Sequence, residues 1–268
     1  MRGDTATMQL TLPKPGPVLR VVLIGLFAIW LLFAVALNWG GASSDSFSWF
    51  TGNTVAIAHG EVWRLLTAAL LHMPQGTISH ILSALFGLYF LGASLEESFG
   101  SRRFARFLLA TAILSYGTQF LVTLVLGPSP RLAPGDYFGA IPVVEAIAIA
   151  WACSFRGRTV RLFFVLPVSS SMLILFVVGT SVMYLIAGAV PPSGHVAAFA
   201  GMGWGYLLGG SSPSPLRKFY LRYRLARLEA EAKTDGQERK RKAKKSGLRV
   251  IEGGKDQKDG KDDKHLLH

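Results

Sequence analysis

A single cysteine, Cys153, is all the thiol chemistry that the 268 residues carry. It sits inside an apolar block, which excludes a disulfide framework and a cysteine-based zinc site and leaves the redox compartment unread. Charge is scarce too, at 16% Asp, Glu, Lys and Arg, and most of the excess behind the formal net charge of +12 lies beyond Ser211. Apolar residues, by contrast, make up 50% of the chain and gather into long blocks separated by short basic or Gly/Pro/Ser-rich pieces. No soluble domain of this length is built that way, so the sequence is that of a polytopic membrane protein.

The opening "MRGDTATMQLTLPKPGPVLR" is polar and proline-rich, and the apolar run after it has no small-residue cleavage signature, which is expected of an uncleaved anchor. Stretches long enough to span a bilayer lie at 18–38, 78–99, 104–126, 139–155, 168–190 and 194–210. The expected fold class is therefore an all-α, six-helix transmembrane bundle over 18–210, with a cytoplasmic N-terminal segment over 1–17 and a basic cytoplasmic tail over 211–268. The last stretch is short, but Gly201, Gly203 and Gly205 suit a central helix whose neighbours approach closely.

Basic residues set the orientation. Arg2, Lys14 and Arg20 precede the first stretch, Arg102, Arg103 and Arg106 separate the second from the third, and Arg156, Arg158 and Arg161 separate the fourth from the fifth. The remaining connections hold only Arg64 and Arg131, so both termini are expected in the cytoplasm, at a bacterial inner membrane. The segment from Trp39 to Gln75 is too long for a tight turn and is expected at the outer interface, where Trp39, Trp49 and Trp63 suit the headgroup belt. "RLFFVLPV" is expected to rest at the inner interface until Pro167 redirects the chain.

Beyond Ser211, Leu221, Leu225 and Leu228 recur at helical spacing beside Arg222, Arg224 and Arg227, which predicts a short basic amphipathic helix on the inner leaflet. "RKRKAKK" and the end "GGKDQKDGKDDKHLLH" are polar enough to be disordered. The partner expected of this tail is anionic lipid, not nucleic acid, because nothing in it is folded to present base-reading groups.

Inside "GAIPVVEAIAIAW" (139–151) two residues stand out. Pro142 is tolerated where a helix begins, since a first-turn N–H has no helical partner. Glu145 is costly in hydrocarbon, about 2.5–3.5 kcal/mol on insertion scales, and so marks a candidate polar site. Four residues from Ile141, it is expected to face the same interior cavity, either protonated and hydrogen-bonded, or paired with His195 or His80, or part of a site.

The succession "GEVWRLLTAALLH", "SHILSALFGLYFLGASLEESFGSRRF", a helix opening "GAI", and "SGHVAAFAGMGWGYLLG" resembles the rhomboid intramembrane serine proteases over about residues 55–210. The resemblance makes Trp63 and Arg64 the family's outer-loop pair. It makes His80 the histidine that helps hold the oxyanion, and His195 the general base. Glu96, Glu97, Phe99, Gly100 and Arg102 match the family's acidic-Phe-Gly-basic turn.

Two positions depart from the pattern. The Gly-x-Ser-Gly quartet falls on Gly139, Ala140, Ile141 and Pro142, so isoleucine stands at the nucleophile. The oxyanion asparagine is Ala84. No serine lies between Arg131 and Trp151. Without a hydroxyl for the base, and with an oxyanion donor missing, the dyad mechanism has no starting point. The resemblance then implies a non-cleaving member, a pseudoprotease that binds transmembrane segments of other membrane proteins.

The alternative is a serine endopeptidase using another nucleophile, with Ser79, Ser83, Ser115, Ser193 and Ser169 to Ser171 as candidates. A transporter built on Glu145 and the histidines lacks an inverted repeat. His72, His80, His195 and Glu145 are good zinc-ligand types, yet their spacing is not diagnostic, and no metal or other cofactor is expected. A histidine with no serine to serve is expected to bond Tyr137, Glu145 or water. The loop "MPQGTIS" is longer than the family pattern.

Overall fold

A computed structural model describes residues 14–75, 78–127, 129–130, 135–155, 157, 159–162, 166–210 and 213–245. Arg2, Arg131, Arg156, Arg158 and the tail beyond Lys245, on which part of the charge argument rests, lie outside the described residues.

Helix α1 (Pro17–Asn38) opens with proline in its first turn, where the missing N–H costs nothing. Short elements follow: α2 (Ser44–Ser48), β1 (Gly52–Asn53), α3 (Thr54–Ala58), α4 (Arg64–Thr67) and a 3₁₀ turn (Ala68–Leu70). Helices α5 (Ser79–Phe99) and α6 (Ser101–Leu126) are joined at Gly100. The two-residue strand β2 (Asp136–Tyr137) pairs antiparallel with β1, tying the long loop to the start of α7 (Ile141–Ser154). A hairpin of β3 (Thr159–Leu162) and β4 (Leu166–Ser169) leads into α8 (Ser170–Ile186), whose first turn is capped by the Ser169 hydroxyl accepting from Met172 N–H. Helix α9 (His195–Gly209) follows, then α10 (Pro215–Lys245); the first compact unit runs to Lys218 and the second begins at Phe219, within α10.

Helix α7 is the axis. Nearly all its positions from Pro142 to Ala152 are buried, and α9 lies alongside it in parallel register. A β-carbon on Gly201 would collide with the carbonyl of Pro142, one on Gly205 with the carbonyl of Ala146, and one on Gly209 with the side chain of Ala150. Glycine at every fourth position therefore lets two backbones touch, the arrangement that gives tight packing between membrane helices. On the far side, Gly87 of α5 leaves room for Val144.

That central position explains why α7 can be short. Its 14 residues rise only about 21 Å, less than a bilayer core of about 30 Å, but protein surrounds it on most sides. Among the described residues, α1 and α6 are long and apolar enough to cross a membrane by length and composition, while α7 and α8 are shorter apolar helices.

Within "RLFFVLPV", Arg161–Leu162 and Leu166–Val168 lie in the paired strands β3 and β4, and Pro167 is accommodated because a two-stranded ladder has free edges. Two expectations need correction. Gly203 meets nothing within 4 Å and takes no part in close packing, a role that Gly209 fills instead. The tail is helical from Pro215 through Lys245, so "RKRKAKK" is not disordered up to that point. Its Ala, Glu, Lys and Arg are strong helix formers, and an Arg227–Glu231 pair at 2.8 Å adds an i,i+4 contact.

Candidate functional site

Where the β1–β2 pair meets the start of α7, the backbone just ahead of Ile141 is pinned from three directions. Phe138 N–H donates to the Pro192 carbonyl (2.9 Å), Gly139 N–H to the Ala68 carbonyl (2.8 Å), and the Tyr116 hydroxyl to the Gly139 carbonyl (2.6 Å). Tyr116 and Tyr137 stack nearly parallel, with ring centroids 5.7 Å apart. Gly139 has φ +122°, a conformation that side chains rarely adopt, and its α-carbon faces the His80 ring, which a β-carbon would approach to 3.0 Å.

His80 sits at the N-terminal end of α5. Its Nδ1 accepts from Met73 N–H at 3.3 Å, which puts the proton of a neutral ring on Nε2, a buried donor with no partner. His72 lies 5.0 Å away, centroid to centroid, and is itself buried. Burial, reinforced by His80, pulls the His72 pKa down from 6.5 to about 3, so it stays neutral in the fold.

Ile141 is the first residue of α7 and half-buried. It brings only hydrocarbon to the pinned corner. Pro142, next to it, has no N–H to offer an oxyanion, and those of Phe138 and Gly139 are already committed. Ala84, one turn along α5 from His80, is fully buried and adds no donor. His195 is buried at the first turn of α9, and its Nε2 has no hydrogen-bond partner. The expected bonds from that nitrogen to Tyr137 or Glu145 are not made. A cavity of about 220 Å³ borders the start of α7, and Val18, Val22, Leu66, Leu108 and Val143 give it an apolar lining.

The serines stand elsewhere. Ser83 donates to the His80 carbonyl, Ser170 accepts from Gly157 N–H, Ser169 caps α8, and the buried Ser193 lies 3.5 Å from the Gly194 carbonyl. Ser115 is buried with its hydroxyl unpartnered. Nothing bonds any of them to His195 Nε2.

Glu145 does not turn toward the histidines. Its Oε1 accepts from the Ser181 hydroxyl of α8 at 2.8 Å, and its buried Oε2 has no partner. Helical spacing placed it on a face with Ile141, but that face is wide enough to border α8. Among the described residues no group of three His, Cys, Asp or Glu could hold a metal ion.

Two polar anchors organise the surroundings. Arg64 is buried in the long loop. Its Nε donates to Glu61 (2.6 Å) and one terminal nitrogen to the carbonyls of Ser48 (2.6 Å) and Thr51 (2.8 Å), while its guanidinium lies 5.6 Å from the Trp49 ring centre. Trp63 packs on Trp49 with centroids 6.0 Å apart. The second anchor, Glu96, escaped sequence reasoning as a functional contact: its carboxylate accepts from Val18 and Leu19 N–H at the start of α1 and from the Ser101 hydroxyl. A carboxylate opposite the positive end of a helix is favourable.

A family model described as Rhomboid domain matches residues 59–211. Two curated proteins are similar to the chain. The "Rhomboid protease GluP" of Bacillus subtilis (strain 168) is 25% identical over 175 residues, covering 65% of this chain and 31% of that protein. The mitochondrial "RHOMBOID-like protein 12" of Arabidopsis thaliana is 27% identical over 203 residues, covering 69% of this chain and 56% of that protein. The chain thus spans about a third and about half of the lengths of these two relatives.

Proposed function

The chain belongs to the rhomboid family and is an integral membrane protein, and from that premise we propose that it is a member that binds transmembrane segments of other membrane proteins without cleaving them. Ile141 occupies the serine's place and Ala84 the oxyanion asparagine's, while His195 and His80 keep the imidazoles. The observation that carries the reading is the corner itself: a backbone fixed by three hydrogen bonds presents an isoleucine, and the Nε2 of His195 has nothing to deprotonate. Each missing group alone is severe. An absent oxyanion donor costs on the order of a hundred- to a thousand-fold, and an absent nucleophile stops covalent catalysis.

In the same reading six helices, α1 and α5 to α9, form a multi-pass bundle with both termini in the cytoplasm, at a bacterial inner membrane. Trp63 and Arg64 shape the outer loop. The basic α10 and the residues after it lie against anionic lipid, with no nucleic-acid partner.

The test is cleavage of a transmembrane substrate by the reconstituted protein, scored beside co-capture of that substrate. Capture without cleavage is expected, and Ile141→Ser alone restores no proteolysis. Ile141→Ser with Pro142→Gly and Ala84→Asn rebuilds the missing hydroxyl, N–H and amide together. Turnover by the wild type that His195→Ala abolishes would overturn the reading in favour of a serine endopeptidase.

A further inference from the structure

Where the segment between α1 and α5 meets β2 there is a second cavity, of about 400 Å³, bordered by Asp45, Ser48, Trp49, Asn53, Arg64 and Asp136. Unlike the apolar cavity beside α7, it carries charges of both signs. A guanidinium has five N–H donors. Arg64 uses three of them, Nε on Glu61 and one terminal nitrogen, Nη1, on the Ser48 and Thr51 carbonyls. The pair on Nη2 has no partner among the described residues. Arg64 is only 6% exposed, and Nη2 is not among the atoms sealed inside the protein, so the surface left to it faces the cavity.

The acidic side is open as well. Asp136 accepts from Asn53 Nδ2 through one oxygen, at 2.8 Å, and the Asp45 carboxylate is exposed. Among the described residues neither aspartate forms an ion pair. Glu61 balances Arg64, so two negative charges remain uncompensated around the cavity. The complement is a molecule with an anionic oxygen at one point and a cationic N–H donor beside it.

The surroundings say where that molecule comes from. Trp49 and Val55 border the cavity and stay 53% and 66% exposed, and Val62 and Trp63, next to Arg64, are exposed too. In an integral membrane protein, large apolar side chains exposed around a charged hollow belong at the headgroup level, where tryptophan is enriched. The molecules of that layer that join an anionic oxygen to a cation are zwitterionic phospholipids. A primary ammonium brings three N–H donors to the aspartates. A choline headgroup brings none, and a glycerol headgroup has no cation.

We propose that this cavity is a headgroup site for a phospholipid with a primary amine, its phosphate on Arg64 Nη2 and its ammonium between Asp45 and Asp136. The site shares no residue with the corner at Ile141 and does not depend on segment binding.

The test is native mass spectrometry of the full-length protein in neutral detergent with EDTA, titrated with dioleoyl phosphatidylethanolamine, its N,N-dimethyl derivative and phosphatidylcholine. The three share phosphate, chains and net charge and differ in the N–H donors of the amine. Phosphatidylethanolamine is expected to bind roughly tenfold tighter than phosphatidylcholine, with the dimethyl lipid between them. Asp45→Asn combined with Asp136→Asn should bring all three within about twofold of one another.

Equal binding of the three lipids by the wild type overturns the inference, and the wild-type series decides it even where the variant does not fold. A preference for the primary amine that survives the double substitution overturns it too. A wild type indifferent to the amine that, without EDTA, binds calcium through the same two aspartates would assign them to a metal ion instead.

Discussion

Gly201 of α9 rests against the carbonyl of Pro142 in α7 so closely that no β-carbon fits between them. Gly205 and Gly209 repeat the contact along the same pair of helices, whose first residues are Ile141 and His195. Gly201→Val should therefore destabilise the protein by about 1–3 kcal/mol or more, as overpacking of a tight interior does. Gly203→Val, on the open side of α9, should be nearly silent. Thermal melting in detergent separates the two.

Glu96 offers a second test of packing. Glu96→Ala strands the buried N–H groups of Val18 and Leu19, and a loss of about 1–3 kcal/mol is expected. Glu96→Gln keeps one acceptor oxygen and should recover part of it. Hydrogen exchange at Val18 and Leu19 should rise in the alanine variant before exchange in α6 does.

Arg64→Ala should loosen the long loop by leaving the Ser48 and Thr51 carbonyls without their shared donor. Arg64→Lys should not rescue it, because a lysine ammonium lacks the planar fork that reaches Glu61 and both carbonyls. Faster exchange or proteolysis within 44–58, with the helices still folded, is the expected outcome.

His72 makes stability depend on pH. Its folded pKa, about 3, lies below the ordinary 6.5, so between those values the unfolded chain binds a proton that the folded one does not. Stability from this group is complete above about pH 6.5 and falls as pH drops toward 3, by about 2 kcal/mol at pH 5. His72→Leu should flatten that part of the pH–melting curve relative to wild type.

Much of this was legible in the residue pattern. Six apolar stretches fall on six helices to within a few residues, because a helix in an apolar setting is bounded by where its hydrocarbon ends. Pro142 was read as a helix start and stands in the first turn of α7, and Pro17 holds the same place in α1, because a first-turn N–H is dispensable. Gly201 and Gly205 were identified as close-packing positions and are so.

What stayed hidden depends on partners distant in sequence. Nothing near Glu96 announces that it caps α1, 77 residues away, and nothing near Glu145 announces Ser181. A 3.6-residue period gives the face of a helix but not the neighbour that face meets. Composition also misjudged residues 239–245, where charge density argues for disorder while each residue favours a helix, and the local preference prevails.

Labelling with a serine-directed fluorophosphonate tests the absence of a nucleophile most directly. Purified wild-type protein, in detergent and in liposomes, should remain unlabelled at every serine under conditions that label an active serine hydrolase. Stoichiometric labelling of one serine, lost in His195→Ala, would contradict the account and identify the residue that the imidazole serves.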